Sequence, residues 1–92
     1  MALLSEEEVE QRLAGLSGWE HSGEAIRKSF KRDDFVGSVR FVSSLVEPAE
    51  EMNHHPDLAI SWDTVTVTIS THSEGGLTAA DFELAEKIDA LA

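Results

Sequence analysis

From Val65 onward the chain alternates with a strict period of two. Val65, Val67 and Ile69 fall on one side, and Thr66, Thr68, Ser70 and His72 on the other. Successive side chains of a strand point to opposite faces, so this segment demands a sheet that is covered on one face and open on the other. Leu58-Ala59-Ile60 precede it across Trp62-Asp63-Thr64, which predicts a hairpin running to about Thr71. A second hairpin is predicted from Trp19-Glu20-His21 and Ala25–Phe30 around Ser22-Gly23-Glu24. In its second arm Ile26, Lys28 and Phe30 share one face, the lysine stem being long enough to lie along apolar neighbours.

Helices are expected before, between and after the hairpins. Ser5 with Glu8 fits a capping box, Leu4 and Val9 a staple across it, and Gly15 a stop, giving a helix over Glu6–Ala14. Val9 and Leu13, four apart, should face the core. Asp34 can cap a long helix from Phe35 in which Phe35, Val39, Val42, Leu45/Val46, Ala49 and Met52 recur at three-to-four spacing and read as its buried stripe. Pro48 interrupts that reading. Inside a helix a proline removes one hydrogen bond and clashes one turn back, so the helix must kink near Ser44 or break and restart with Pro48 in a first turn. Pro56 biases His55 towards an extended conformation, which places His54 and His55 at or just past the helix end. Thr78 and Asp81 form a second capping box, stapled by Leu77 and Phe82, and Phe82, Ala85, Ile88 and Leu91 should line the buried side of the last helix. The resulting order, α-β-β-α-β-β-α, defines an α+β fold: one domain over residues 1–92, with a four-stranded antiparallel sheet and three helices packed on one face. The sequence does not fix the strand order.

Composition narrows the classes of function. A net charge of −11 repels nucleic-acid backbones and anionic lipid surfaces, so neither is an expected partner. Arg27, Lys28, Lys31 and Arg32 read as a solvated strand and turn. With no cysteine, disulfides and thiolate metal sites are absent. The Met1–Glu6 start lacks a signal-peptide pattern and no apolar run reaches membrane-spanning length, so a cytoplasmic protein is expected. Ninety-two residues bury a limited core, which makes a homodimer or homotetramer a natural route to further stability.

The chemistry concentrates in two stretches, Glu50-Glu51-Met52-Asn53-His54-His55-Pro56-Asp57 and Thr68–Leu77, which hold three of the four histidines. One follows a helix and the other ends a strand. If the two ends meet, three imidazoles, hydroxyls and carboxylates share a small volume suited to proton transfer near neutral pH. Three uses fit His54, His55 and His72: acid–base catalysis, a zinc site with Glu50 as a fourth ligand, or structural helix-end and strand positions. His21 stands apart and is expected to be an exposed strand residue. Ser73-Glu74-Gly75-Gly76 reads as a flexible turn and lacks the lysine and the complete glycine pattern of a phosphate cradle.

Ala49–Asp57, Val67–His72, then Gly76-Leu77-Thr78 and Asp81, at this separation, resemble the pterin-4a-carbinolamine dehydratases, with weaker matches from Trp19 to Phe35. The resemblance implies the same α+β architecture, a homo-oligomer, and a lyase that dehydrates 4a-hydroxytetrahydropterin to quinonoid dihydropterin without metal or other cofactor, in support of tetrahydrobiopterin recycling. It implies catalytic roles for His54, His55 and His72. It implies substrate contacts at Asn53, Ser70, Thr71 and Ser73, with Glu50 and Asp81 as acidic positions at the pocket. Relatives commonly carry an aromatic residue two positions after His-His-Pro, where this chain has Leu58. The family also includes a dimerisation cofactor of a transcription factor and degenerate assembly factors. A non-catalytic dimeric scaffold is therefore the alternative, against which the intact histidine set weighs.

Overall fold

The computed structural model describes residues 2–92 as α1 (Glu6–Ala14), β1 (Glu20–Ser22), β2 (Ala25–Lys31), α2 (Phe35–Ser44), α3 (Val46–Met52), β3 (Asp57–Ser61), β4 (Thr64–Ile69), a 3₁₀ turn (His72–Glu74) and α4 (Ala79–Leu91). All strand pairs are antiparallel and the order across the sheet is β1-β2-β4-β3. The two hairpins therefore join through their second arms, β2 against β4, and β3 is left as an edge. The period-two alternation is realised on β4: Val65, Val67 and Ile69 are fully buried, while Thr64, Thr66 and Thr68 are half-exposed on the open face. Ile26 and Phe30 of β2 extend the covered face, and Val9, Phe41, Leu45, Phe82, Leu84, Ala85 and Ile88 close over it.

The caps form as their residues require. Ser5 Oγ accepts the Glu8 amide N–H at 3.2 Å and Glu8 Oε1 accepts the Ser5 amide at 3.0 Å. Asp34 Oδ1 accepts the Gly37 amide at 2.7 Å. Lys28, whose stem follows the buried side of β2, brings Nζ to Asp89 Oδ1 at 2.9 Å, and Trp19 Nε1 donates to the other oxygen of that carboxylate at 3.0 Å. The first hairpin is thus tied to α4.

The expected long helix is two segments. α2 ends at Ser44, and α3 restarts at Val46 with Pro48 as its third residue, where the amide has no intrahelical acceptor and the ring costs no hydrogen bond. The expected buried stripe requires correction. Leu45 and Ala49 are buried and Val42 and Met52 pack against the core as expected, but Phe35, Val39 and Val46 are exposed, and Ser38 and Phe41 take the buried positions on α2. α2 carries apolar residues on almost every side, so spacing alone does not choose the buried face. On the buried face Phe41 packs on Phe30, their ring centroids 4.9 Å apart, and the Ser38 hydroxyl donates to the Trp62 carbonyl at 2.7 Å, which satisfies a buried polar group and docks α2 on the β3–β4 turn. Leu91 is likewise exposed rather than buried, since it ends α4.

Candidate active site

The C-terminus of α3 delivers the first two histidines. Asn53 takes the left-handed conformation (φ 49°, ψ 44°), which asparagine tolerates better than most residues. The His54 amide then bonds the Ala49 carbonyl (3.0 Å) and the Asn53 amide bonds that of Glu50 (3.2 Å). This is the Schellman arrangement, and it turns the chain sharply so that the two imidazoles leave in different directions. His54 turns inward: its Nε2 lies 2.6 Å from Asp81 Oδ1, on the first turn of α4. His55 stays exposed, with Nε2 2.5 Å from Glu50 Oε2 one turn back on α3.

Asp81 is the hub. It is completely buried, and its Oδ2 accepts the Thr78 amide at 2.8 Å and the Thr71 hydroxyl at 2.9 Å. The Thr71 and Thr78 hydroxyl oxygens are also 2.9 Å apart. A carboxylate that already accepts twice at one oxygen is an acceptor at the other, so His54 Nε2 is the donor, and in the neutral imidazole the lone pair is on Nδ1. Among the described residues that Nδ1 has no hydrogen-bond partner. Among the described residues no buried side-chain polar atom lacks a hydrogen bond, so Nδ1 reaches solvent.

The third histidine follows Thr71 directly. β4 ends at Ile69, earlier than the alternation suggests, because Thr71 turns inward to the hub and pairs as an isolated bridge with Gly76. The expected flexible turn is closed. The Thr71 carbonyl accepts the amides of Glu74 and Gly75, both at 3.0 Å, and the Thr71 amide bonds the Gly76 carbonyl at 2.9 Å. His72 stands at the start of this loop with an exposed ring, Nε2 3.8 Å from Asp57 Oδ2. Asp57 opens β3, two residues beyond His55. The two stretches therefore adjoin: Asp81 links His54 to Thr71, and His72 lies 3.8 Å from Asp57, two residues beyond His55.

Of the other residues singled out in the sequence, Ser70 is half-buried, Ser73 and Asn53 are exposed beside the histidines, and His21 is exposed on β1 without a side-chain partner. Thr71 and Asp81 lie beneath the site rather than on its surface. His54 and His55 each bring Nε2 to a different carboxylate, His72 Nε2 lies 3.8 Å from a third, and among the described residues no three metal-binding side chains surround a common point. Beside His55 opens a cleft of about 210 Å³ lined by Val42, Leu45, Val46, Ala49, Glu50, Pro56 and Leu58. Leu58, two positions after His-His-Pro, forms part of its wall.

An α+β sheet with one helical layer, and three histidines paired to carboxylates at one end of it, defines a candidate acid–base site. Comparison with known proteins assigns the class. The sequence pattern described as pterin 4 alpha carbinolamine dehydratase matches residues 2–91. A protein of Thermosynechococcus vestitus bearing that dehydratase name provisionally is 48% identical over 89 residues, covering 97% of this chain and 94% of its own length. A provisionally named counterpart in Mycobacteroides abscessus is 46% identical, covering 97% and 95%. The crystal structure of a transcriptional coactivator/pterin dehydratase from Brucella melitensis superposes with a TM-score of 0.94 at 38% identity over 99% of both chains. The chain belongs to the pterin-4a-carbinolamine dehydratase family. A pterin dehydratase-like RuBisCO assembly factor of the alpha-carboxysome shares the fold, with a TM-score of 0.66 at 23% identity over 80% of this chain and 86% of its own.

Proposed function

We propose that this protein is a hydro-lyase that dehydrates a 4a-hydroxytetrahydropterin to the quinonoid dihydropterin, with His54, His55 and His72 as its acid–base groups. The C4a–O bond breaks, the departing hydroxyl takes up a proton and leaves as water, and N5 gives up its proton as the C4a–N5 double bond forms. The reaction has no net oxidation, and one base and one acid suffice for it.

The observation that carries the reading is the orientation of His54. Asp81 takes up Nε2, so the neutral imidazole has its lone pair on Nδ1, the ring nitrogen left for a substrate, as a general base requires. His55 and His72 leave from separate elements beside it, so one can meet the leaving hydroxyl on another edge of a flat bicyclic ring. Asn53, Ser70 and Ser73 border the same end and supply polar contacts, and the aliphatic cleft beside His55 takes an apolar edge of the ring system. In this arrangement Thr71 and Asp81 position His54 from beneath, while Glu50 orients His55.

The protein also presents apolar side chains to solvent at Phe35, Val39 and Val46 on α2 and α3, and at Leu58 and Ile60 on edge strand β3. An unpaired strand edge next to an apolar helix face supports a homo-oligomer. The same surface supports the second reading, a scaffold that uses the fold without chemistry. The two separate in one assay. Purified, metal-chelated protein added to freshly generated 4a-hydroxytetrahydropterin accelerates water loss well above the buffer rate if the first is correct. No acceleration by folded protein overturns it, and acceleration that requires stoichiometric zinc replaces the metal-free mechanism.

A further inference from the structure

We propose that Leu3 and Leu4 form a strap that positions the loop carrying His72, with Gly76 as the seat on which the strap lies; this rests on the catalytic role proposed for His72. The His72 ring is exposed and its Nε2 is 3.8 Å from Asp57 Oδ2, beyond hydrogen-bond distance, so packing around the ring does not fix it. Its position is set by the backbone of residues 71–77. The inner side of that loop is tied by the Thr71 bonds already described. On the outer side the Leu4 amide donates to the Leu77 carbonyl at 2.9 Å. Leu3 lies directly on Gly76, where an added Cβ would stand 3.1 Å from Leu3 Cδ2. Gly76 is buried although its φ is not left-handed, so close approach of the strap is what its missing side chain permits. Beyond the strap a cleft of about 180 Å³ opens between Leu3, Glu6, His21, Gly23 and Gly75. Without the strap the outer side of the loop at Gly76 and Leu77 has free space, and only the Thr71 bonds on the inner side are left to hold the loop that carries His72.

Two full-length variants test this. Leu4→Pro removes the amide donor while keeping an apolar residue ahead of the Ser5 cap. Leu3→Gly removes the half-exposed side chain that sits on Gly76 and leaves the core intact, so it keeps the test decisive if Leu4→Pro folds poorly. Both are read by NMR of the histidine rings and by steady-state dehydration. The expected result is that His72 ring resonances shift and broaden while those of His55 stay in place. In the same variants kcat/KM should fall by between about 3-fold and the roughly 100-fold that a 1 Å misplacement can cost. In a His72→Ala background Leu3→Gly should cost nothing further, because the strap acts through that residue. Unchanged His72 resonances in folded Leu3→Gly, or an equal loss of rate with and without His72, overturns the strap. Full rate in His72→Ala itself would instead overturn the catalytic role of His72, and the NMR comparison would still decide the strap.

Discussion

Replacing Asp81 by Asn changes one atom's chemistry at the centre of the site and little else. The carboxylate is fully buried and takes part in three hydrogen bonds, to the Thr78 amide, the Thr71 hydroxyl and His54 Nε2. Asn offers one acceptor oxygen. Aimed at Thr78 N–H and Thr71 O–H it preserves both bonds, and its NH₂ then faces His54; the opposite orientation sets NH₂ against the Thr78 N–H. To avoid two opposed donors His54 must move its proton to Nδ1, the atom that faces outward. Loss of the charge-assisted bond should cost about 1.5–3 kcal/mol of stability, read as a lower midpoint in denaturant. The rate should fall further than stability implies, because the outward atom is now a donor and no longer a base. A general base contributes about 10²–10⁴-fold, and the analogous tautomer reversal in Ser-His-Asp hydrolases costs about 10⁴ in kcat. Stopped-flow dehydration under conditions where Asp81→Asn remains folded, together with ¹⁵N shifts of the imidazole, measures both effects. A folded variant with a rate within about 3-fold of the parent, or with Nε2 still protonated, would refute the tautomer argument.

Pro48→Ala should not stabilise the protein, because Pro48 sits in the first turn of α3, where its ring is tolerated; the expected change is a loss of about 0.4–1 kcal/mol from the freer unfolded chain, and a gain in denaturant midpoint would contradict the placement. Light scattering at micromolar concentration should show a homo-oligomer, and Ile60→Lys on the exposed edge strand should shift it towards monomer; a monomeric parent would contradict this. The hydrogen bond from Lys31 Nζ, 2.7 Å away, holds the Asp63 carboxyl below its ordinary range of about 3.9. A group whose pKa is lowered by folding contributes stability above its unfolded value and loses it as pH falls through the folded one. Acid unfolding of Lys31→Ala should therefore begin at higher pH than that of the parent, and superimposable acid transitions would count against the pairing.

How much of this was legible in the sequence depends on whether the determining contact is local. Val65, Val67 and Ile69 announced the covered face because a strand's period is two and only one face of the sheet is packed. Ser5–Glu8 and Thr78–Asp81 announced helix starts because a capping box closes within four residues. The break at Pro48 followed from one missing amide, although the choice between kink and restart did not. The buried face of α2 was misjudged because apolar residues surround that helix. On the buried face Phe41 meets Phe30 and the Ser38 hydroxyl meets a carbonyl 24 residues away, and helical spacing carries no trace of those pairings. The strand order β1-β2-β4-β3 was likewise out of reach, since the β2–β4 register depends on pairing across the chain.

At the site, the two histidine-bearing stretches were readable from residue type and from the prolines and helix ends around them. The division of labour beneath them was not. Asp81 and Thr71 looked like pocket residues, and their burial under His54 arises only when β4, the Thr71–Gly76 bridge and the cap of α4 come together. A clue was present in the sequence: Asp81 doubles as the second member of a capping box, which commits one of its oxygens to the backbone and leaves the other available to a neighbour.

The most direct test of the account compares the dehydration rates of His54→Ala, His55→Ala, His72→Ala and His21→Ala, each confirmed to be folded. A catalytic histidine should cost about 10²–10⁴-fold in kcat, and one that mainly orients the substrate should cost less and raise KM instead. The account predicts such losses for His54, His55 and His72, with the largest at His54, and a rate indistinguishable from the parent for His21→Ala. Near-full rates in all three site variants, or an equal loss in His21→Ala, would contradict it and leave the non-catalytic scaffold as the reading of this fold.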